Sequence, residues 1–211
     1  MKFYSIVLLV LVTVLPYVYG ATVTSLSEGI LKYEEVSNKA KLQPYCDETS
    51  QLWHIGYGHN CNTGCKTNTK CTKDKKVNNV KVNNKFTASS AQKLLDNDVQ
   101  SHVKCVTDMK FTNLNNYRKS VLVAMSYQLG CDALNKNWPN FIKNVKNSNW
   151  KQAVYEMKHN SKGGKSKWYE QTPGRVDRLG CIMEKFSCKN SNDSACVKKV
   201  VKDCKITGYN W

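Results

Sequence analysis

All ten cysteines lie between Cys46 and Cys204, downstream of an amino-terminal stretch that joins a basic start, Lys2, to an apolar run from Ile6 to Leu15. That stretch closes on the small-residue pattern Val18-Tyr19-Gly20, so residues 1–20 read as a signal peptide and the mature chain is expected to begin near Ala21. An even number of cysteines in an exported chain reads as a disulfide framework whose connectivity the sequence leaves open. The rival reading is a zinc site in Cys61, Cys65 and Cys71. Their spacing is irregular and no paired C-x-x-C or H-x-x-x-H partner follows, so no metal and no cofactor is expected. The remaining length, about 190 residues, suffices to bury a core of its own, which makes the disulfides additional staples.

The formal charge of +16 favours a polyanionic partner. For an exported protein that partner is an anionic bacterial surface rather than nucleic acid, since no helix-turn-helix, zinc-finger or RNP-like motif is present. A lysine-rich surface that merely keeps the protein soluble is the alternative. No transmembrane segment is expected, and the chain is read as a monomer.

Periodicity predicts a first helix over 24–35 with Val23, Leu26, Ile30 and Tyr33 on one face. A polar connection follows, then strands of a small sheet around Leu52 to Tyr57. Residues 60–85, almost wholly Asn, Lys, Thr, Val, Gly and Cys, read as a long surface loop or hairpin. From Thr87 the pattern turns helical, with Ser89 to Gln92 as a capping box and a buried stripe of Ala91, Leu94, Leu95, Val99, Val103 and Val106. Further helices are expected over 116–129 with Gly130 as cap, near 138–145, near 150–159, and from Thr172-Pro173 towards Phe186. The last 25 residues or so read as a cysteine-rich tail, 187–211, holding the sequon Asn192-Asp193-Ser194. The expected fold class is α+β: a sheet lobe over about 36–86 and a larger helical lobe over about 87–186, together a domain of residues 21–186.

Among the acidic residues, Glu28, Glu34 and Glu35 share the first helix, and helix geometry separates them. With Leu26 at zero and about 100° per residue, Ile30 falls near roughly 40° and Glu34 near roughly 80°, inside the apolar arc. Glu28 and Glu35 fall near roughly 200° and 180°, on the solvent side. A carboxyl group against apolar neighbours has its proton affinity raised, as a general acid requires. Glu34 is therefore either such an acid or a border glutamate at a helix end.

Four segments carry a family resemblance. Asp47 followed by His54-Ile55-Gly56-Tyr57-Gly58-His59 is one, and Trp168-Tyr169-Glu170-Gln171-Thr172-Pro173-Gly174-Arg175 is another. Asp96-Asn97-Asp98-Val99 and Tyr127-Gln128-Leu129-Gly130 fall between them in order. Together they resemble the phage-type lysozymes of glycoside hydrolase family 24, over roughly residues 24–186. The resemblance implies a lysozyme-like fold with its cleft between the two lobes. It also implies hydrolysis of the β-1,4 bond between N-acetylmuramic acid and N-acetylglucosamine in bacterial peptidoglycan.

By the same resemblance Glu34 takes the place of the general acid, with Glu28 in reserve because the family's acid is usually followed by glycine. Asp47 becomes the second carboxylate, which holds the attacking water. His54 stands where the family usually has a threonine that positions that water, so it is a base, a group that crowds the water site and alters the stereochemical course, or an exposed strand residue, and inversion or retention stays open. His59 and Asp98 correspond to a structural ion pair. Arg175 becomes the partner of the acid, and Gln128, Trp168 and Gln171 the helical-lobe side of the cleft. The expected setting is secretion, or the lumen of a phagosome or lysosome, in an antibacterial or digestive role. A cationic envelope-binding or membrane-active protein without glycosidase activity is the competing expectation.

Overall fold

A computed structural model describes residues 22–47, 50–61, 86–188 and 193–209. The expected signal peptide, the sequon's Asn192 and nearly all of the lysine-rich segment lie outside them. Helix α1 (Val23–Val36) opens on a reciprocal cap between Thr22 and Ser25 and buries Leu26, Ile30 and Leu31. It stops at Ser37, whose left-handed backbone (φ 51°) lets its amide reach back to the carbonyls of Lys32 and Tyr33. An antiparallel sheet follows, in the order β1 (Lys41–Asp47), β2 (Leu52–Gly56), β3 (His59–Asn60). In register, Tyr45 faces His54 and Asp47 faces Leu52. Strand β1 falls where the sequence suggested only a polar connection. Its first three residues are exposed and only Pro44 is buried, so it offers no alternating apolar signal and is held by pairing to β2 instead.

Helix α2 (Ala88–Asp108) joins the lobes. Its first turns meet the sheet-lobe cluster of Trp53, Ile55 and Cys61 through Leu94, while Leu95, Val99 and Val106 enter the main core. Its amino-terminal cap is Thr87, which accepts from the Ser90 amide, rather than the Ser89 to Gln92 box expected from the sequence. Helix α3 (Asn116–Leu129) runs through the centre of the helical lobe, buried on nearly every side, and ends at Gly130 with φ 86°. Around it stand α4 (Cys131–Asn137), α5 (Pro139–Lys146), α6 (Trp150–Lys158), α7 (Lys167–Gln171) and α8 (Pro173–Lys185). The proline at the start of α8 lacks the amide hydrogen that the first turn could not have used.

The expected tail contains α9 (Ser194–Asp203). Val200, Cys204, Ile206 and Tyr209 join the main core, so this end of the chain is part of the helical lobe rather than an appendage. Disulfides Cys105–Cys131, Cys181–Cys204 and Cys188–Cys196 staple α2 to α4, α8 to the end of α9, and the segment before α9 to its first turn. Cys46 and Cys61 are also disulfide-bonded. Among the described residues no helix is long and apolar enough to cross a membrane.

Candidate active site

A cavity of about 300 Å³ opens between the sheet and the helical lobe, and Glu35, Asp47, His54, His59, Asp98 and Gln128 are among the residues that line it. Glu35 reaches it from the last turn of α1. Its Oε1 accepts a 2.7 Å hydrogen bond from Nη1 of Arg175, in the first turn of α8, and its side chain is 16% exposed. Arg175 is itself fixed by a second donation, from Nη2 to the Glu34 carbonyl at 2.5 Å. Gly58, in the turn between β2 and β3, lies against this carboxylate. A Cβ there would stand 3.0 Å from Glu35 Cγ and 3.1 Å from Oε2, and the glycine's φ of +87° also disfavours any side chain. That turn is tied to the helical lobe by the Tyr127 hydroxyl, which donates to the Tyr57 carbonyl at 2.9 Å.

Across the cavity, Asp47 ends β1. Its Oδ2 accepts from the Ser50 hydroxyl at 2.6 Å and from the Ser50 amide at 3.3 Å, so this carboxylate caps a turn and faces the cavity at once. His54 stands on β2 beside Tyr45, ring centroids 5.9 Å apart. Its Nε2 is buried without a hydrogen-bond partner among the described residues. Burial, and secondarily the charge of Glu35, push the phenols of Tyr45 and Tyr127 upward, with Asp98 acting between those two effects on Tyr127. Both rings remain protonated donors near neutral pH. His102 also lines the cavity, bonded through Nδ1 to the Ser126 hydroxyl at 2.7 Å, and burial holds its imidazole below the ordinary histidine range.

The sequence-derived candidates separate here. His59 Nδ1 and Asp98 Oδ2 are 2.8 Å apart, which joins the sheet's last strand to α2. Gln128 accepts a 2.7 Å hydrogen bond from Trp168 Nε1. Trp168 is core, packed edge-on against Trp138, and is not among the cavity's lining residues. Gln171 is exposed at the end of α7 and is not among the cavity's lining residues.

Glu34 is likewise absent from the cavity lining. Its side chain is 3% exposed and clamped by Arg178, from Nε at 2.7 Å and Nη2 at 2.6 Å, and by the Tyr209 hydroxyl. Helix geometry placed it correctly in the buried arc, but that arc faces α8 and the carboxy-terminal segment. The side of α1 that looked solvent-facing is covered by the sheet lobe across the cleft, so Glu35 lines the cavity and Glu34 does not. Glu28 stays outside as well. Burial, foremost, and then Asp96 raise its carboxyl above the usual range, yet it bonds Gln92 and Lys32 away from the cavity. A raised proton affinity alone therefore does not locate the cleft acid.

The sequence profile of the phage lysozyme family matches residues 35–178. Two proteins of Dictyostelium discoideum are similar over most of the chain. One, named probable T4-type lysozyme 1, is 27% identical over 168 residues, covering 74% of this chain and 92% of the relative. The other, named probable T4-type lysozyme 2, is 27% identical over 178 residues, covering 79% of this chain and 98% of its own.

Proposed function

The chain belongs to the phage lysozyme family, a family of muramidases, and on that premise we propose that it hydrolyses the β-1,4 bond between N-acetylmuramic acid and N-acetylglucosamine of bacterial peptidoglycan, with Glu35 as general acid. The observation that carries this reading is the placement of Glu35 and Asp47 on the same cavity, one from each lobe. Glycoside hydrolysis needs a proton donor on the leaving oxygen and a second group across the bond to act on water or on the anomeric carbon. Glu35 is held for the first task by Arg175 and by the close wall at Gly58. Asp47 and His54 are read as the groups that orient the water, the imidazole offering a nitrogen that no protein group occupies among the described residues. Gln128, whose amide is held by Trp168, contributes a polar wall to the same cavity.

The signal-like amino terminus supports export, and the charge of +16 supports adsorption to an anionic envelope before cleavage. An antibacterial or digestive role follows from the same two features. Mass spectrometry of the products released from purified peptidoglycan by the mature protein tests the reading. Muropeptides with a reducing N-acetylmuramic acid end are expected. Anhydro ends would mean transglycosylation instead, and the absence of any soluble product would favour a cationic envelope-binding protein.

A further inference from the structure

The carboxy-terminal segment passes behind the last turn of α1, which carries Glu34 and Glu35. Cys204 is bonded to Cys181 on α8, the helix that also carries Arg175 and Arg178. Five residues later the Tyr209 hydroxyl donates to Glu34 Oε1, while the Tyr209 ring packs edge-on against Tyr33 at 5.4 Å between centroids. Asn38 Nδ2 donates to the Gly208 carbonyl at 2.8 Å. The fit admits no side chain at 208, since a Cβ there would stand 2.2 Å from the Tyr33 ring. The segment therefore touches α1 at Tyr33 and Glu34 and the chain just beyond it at Asn38, on the side away from the cleft.

Glu34 links this contact to the cleft. Both its carboxylate oxygens are engaged by Arg178, Oε1 also by Tyr209, and Oε2 lies 3.6 Å from Arg175 Nε. Arg175 thus lies between two neighbouring glutamates. One face of its guanidinium fork meets the carbonyl and carboxylate of Glu34, and Nη1 meets Glu35. A guanidinium held at two points by Glu34 cannot turn without carrying its third contact, Glu35, along, and small misplacements of a catalytic group are costly in rate.

We propose that Glu34 and Tyr209 are positioning residues for the catalytic acid, so that the disulfide-stapled carboxy-terminal segment sets, through Arg175, where the Glu35 carboxyl sits in the cleft. This rests on Glu35 being the acid. Steady-state hydrolysis of soluble peptidoglycan fragments by the mature protein tests it, with rates normalised to folded protein. Tyr209→Phe keeps the buried ring and removes only the hydroxyl, and Glu34→Gln keeps the shape and removes the charge. Both are expected to lower kcat with KM unchanged, Tyr209→Phe severalfold and Glu34→Gln by up to about 100-fold. Glu34→Asp is expected to recover part of the loss.

Val200→Ala, a core truncation on α9, destabilises the same end of the chain and is expected to leave kcat per folded molecule unchanged. A Tyr209→Phe protein with the wild-type kcat would overturn the proposal even if Glu34→Gln fails to fold. Equal losses in Val200→Ala and Tyr209→Phe would reduce the segment to a stabiliser, which also overturns it. Glu35→Gln, run alongside, separates the two layers. Full activity there removes the assignment of the acid. An inactive Glu35→Gln beside an unimpaired Tyr209→Phe removes only the positioning role.

Discussion

Two adjacent glutamates at the end of α1 occupy opposite environments. Glu35 faces a cavity large enough for several waters and keeps one strong partner, Arg175. Glu34 faces a closed cluster in which Arg178 and Tyr209 saturate both of its oxygens. The cleft side leaves a carboxyl group open to substrate, whereas the tail side leaves nothing for a substrate to meet. A buried charge that is fully paired stabilises geometry, and an incompletely paired one at a cleft can do chemistry.

The tail side breaks most severely if its pairing is opened. Arg178→Ala removes the bidentate partner of the Glu34 carboxylate, which is 3% exposed, and leaves it only the Tyr209 hydroxyl and the more distant Arg175; urea unfolding is expected to register a loss of about 3–5 kcal/mol. Replacing Cys181 and Cys204 together by alanine removes the staple of the same region and is expected to cost about 2–4 kcal/mol by the same measurement. A loss well under that would mean that Val200, Ile206 and Tyr209 hold the segment unaided. The cleft side is sharpened by Gly58→Ala. Its positive φ alone costs about 1–3 kcal/mol. Because the new Cβ meets Glu35, hydrolysis should fall further than the thermal midpoint predicts when compared with other variants of equal stability.

The smallest effect concerns pH. His102 is held neutral by burial, so its folded-state proton affinity lies below that of the unfolded chain. The stability this contributes is complete above the unfolded value, about 6.5, and is lost as pH falls towards the folded one. Thermal midpoints at about pH 7 and about pH 5 should therefore differ less in His102→Gln than in the wild type. An unchanged difference would place the acid lability elsewhere.

The first helix was legible because it places apolar residues at helical spacing, and α3 because Gly130 marks its end. Strand β1 was not, since Lys41 to Asp47 buries only Pro44, shows no alternation, and is fixed by a partner strand rather than by its own pattern. Nor was α9, whose apolar side consists of little more than Val197, Val200 and Val201 between lysines and whose end is tied to α8 by the Cys181–Cys204 bond rather than by its own pattern. The cleft was legible in outline. Asp47, His54, His59, Asp98, Gln128 and Arg175 all lie at or beside it, since the motifs that carry them are local in sequence and also fix the turns.

Which of the two neighbouring glutamates lines the cavity was misjudged by one position. Helix geometry reports which side of α1 is covered but not by what. Glu34 turned out to be covered by Arg178 and Tyr209, 144 and 175 residues away. The close approach of Gly58 to Glu35 would have identified the cleft-facing glutamate, but that contact exists only once the sheet folds against α1. Gln171 failed for a related reason, because its motif is shared with Trp168 and Arg175 while its own side chain points to solvent at the end of α7.

The most direct test of the division between the two glutamates is the rate of peptidoglycan hydrolysis by Glu35→Gln and by Glu34→Gln, each measured at its own pH optimum and per folded molecule. Loss of the acid is expected to lower the Glu35→Gln rate by about 10²–10⁴-fold and to exceed the loss in Glu34→Gln. The reverse order, with Glu34→Gln inactive and Glu35→Gln near the wild type, would place the chemistry on the buried side of α1 and contradict the account.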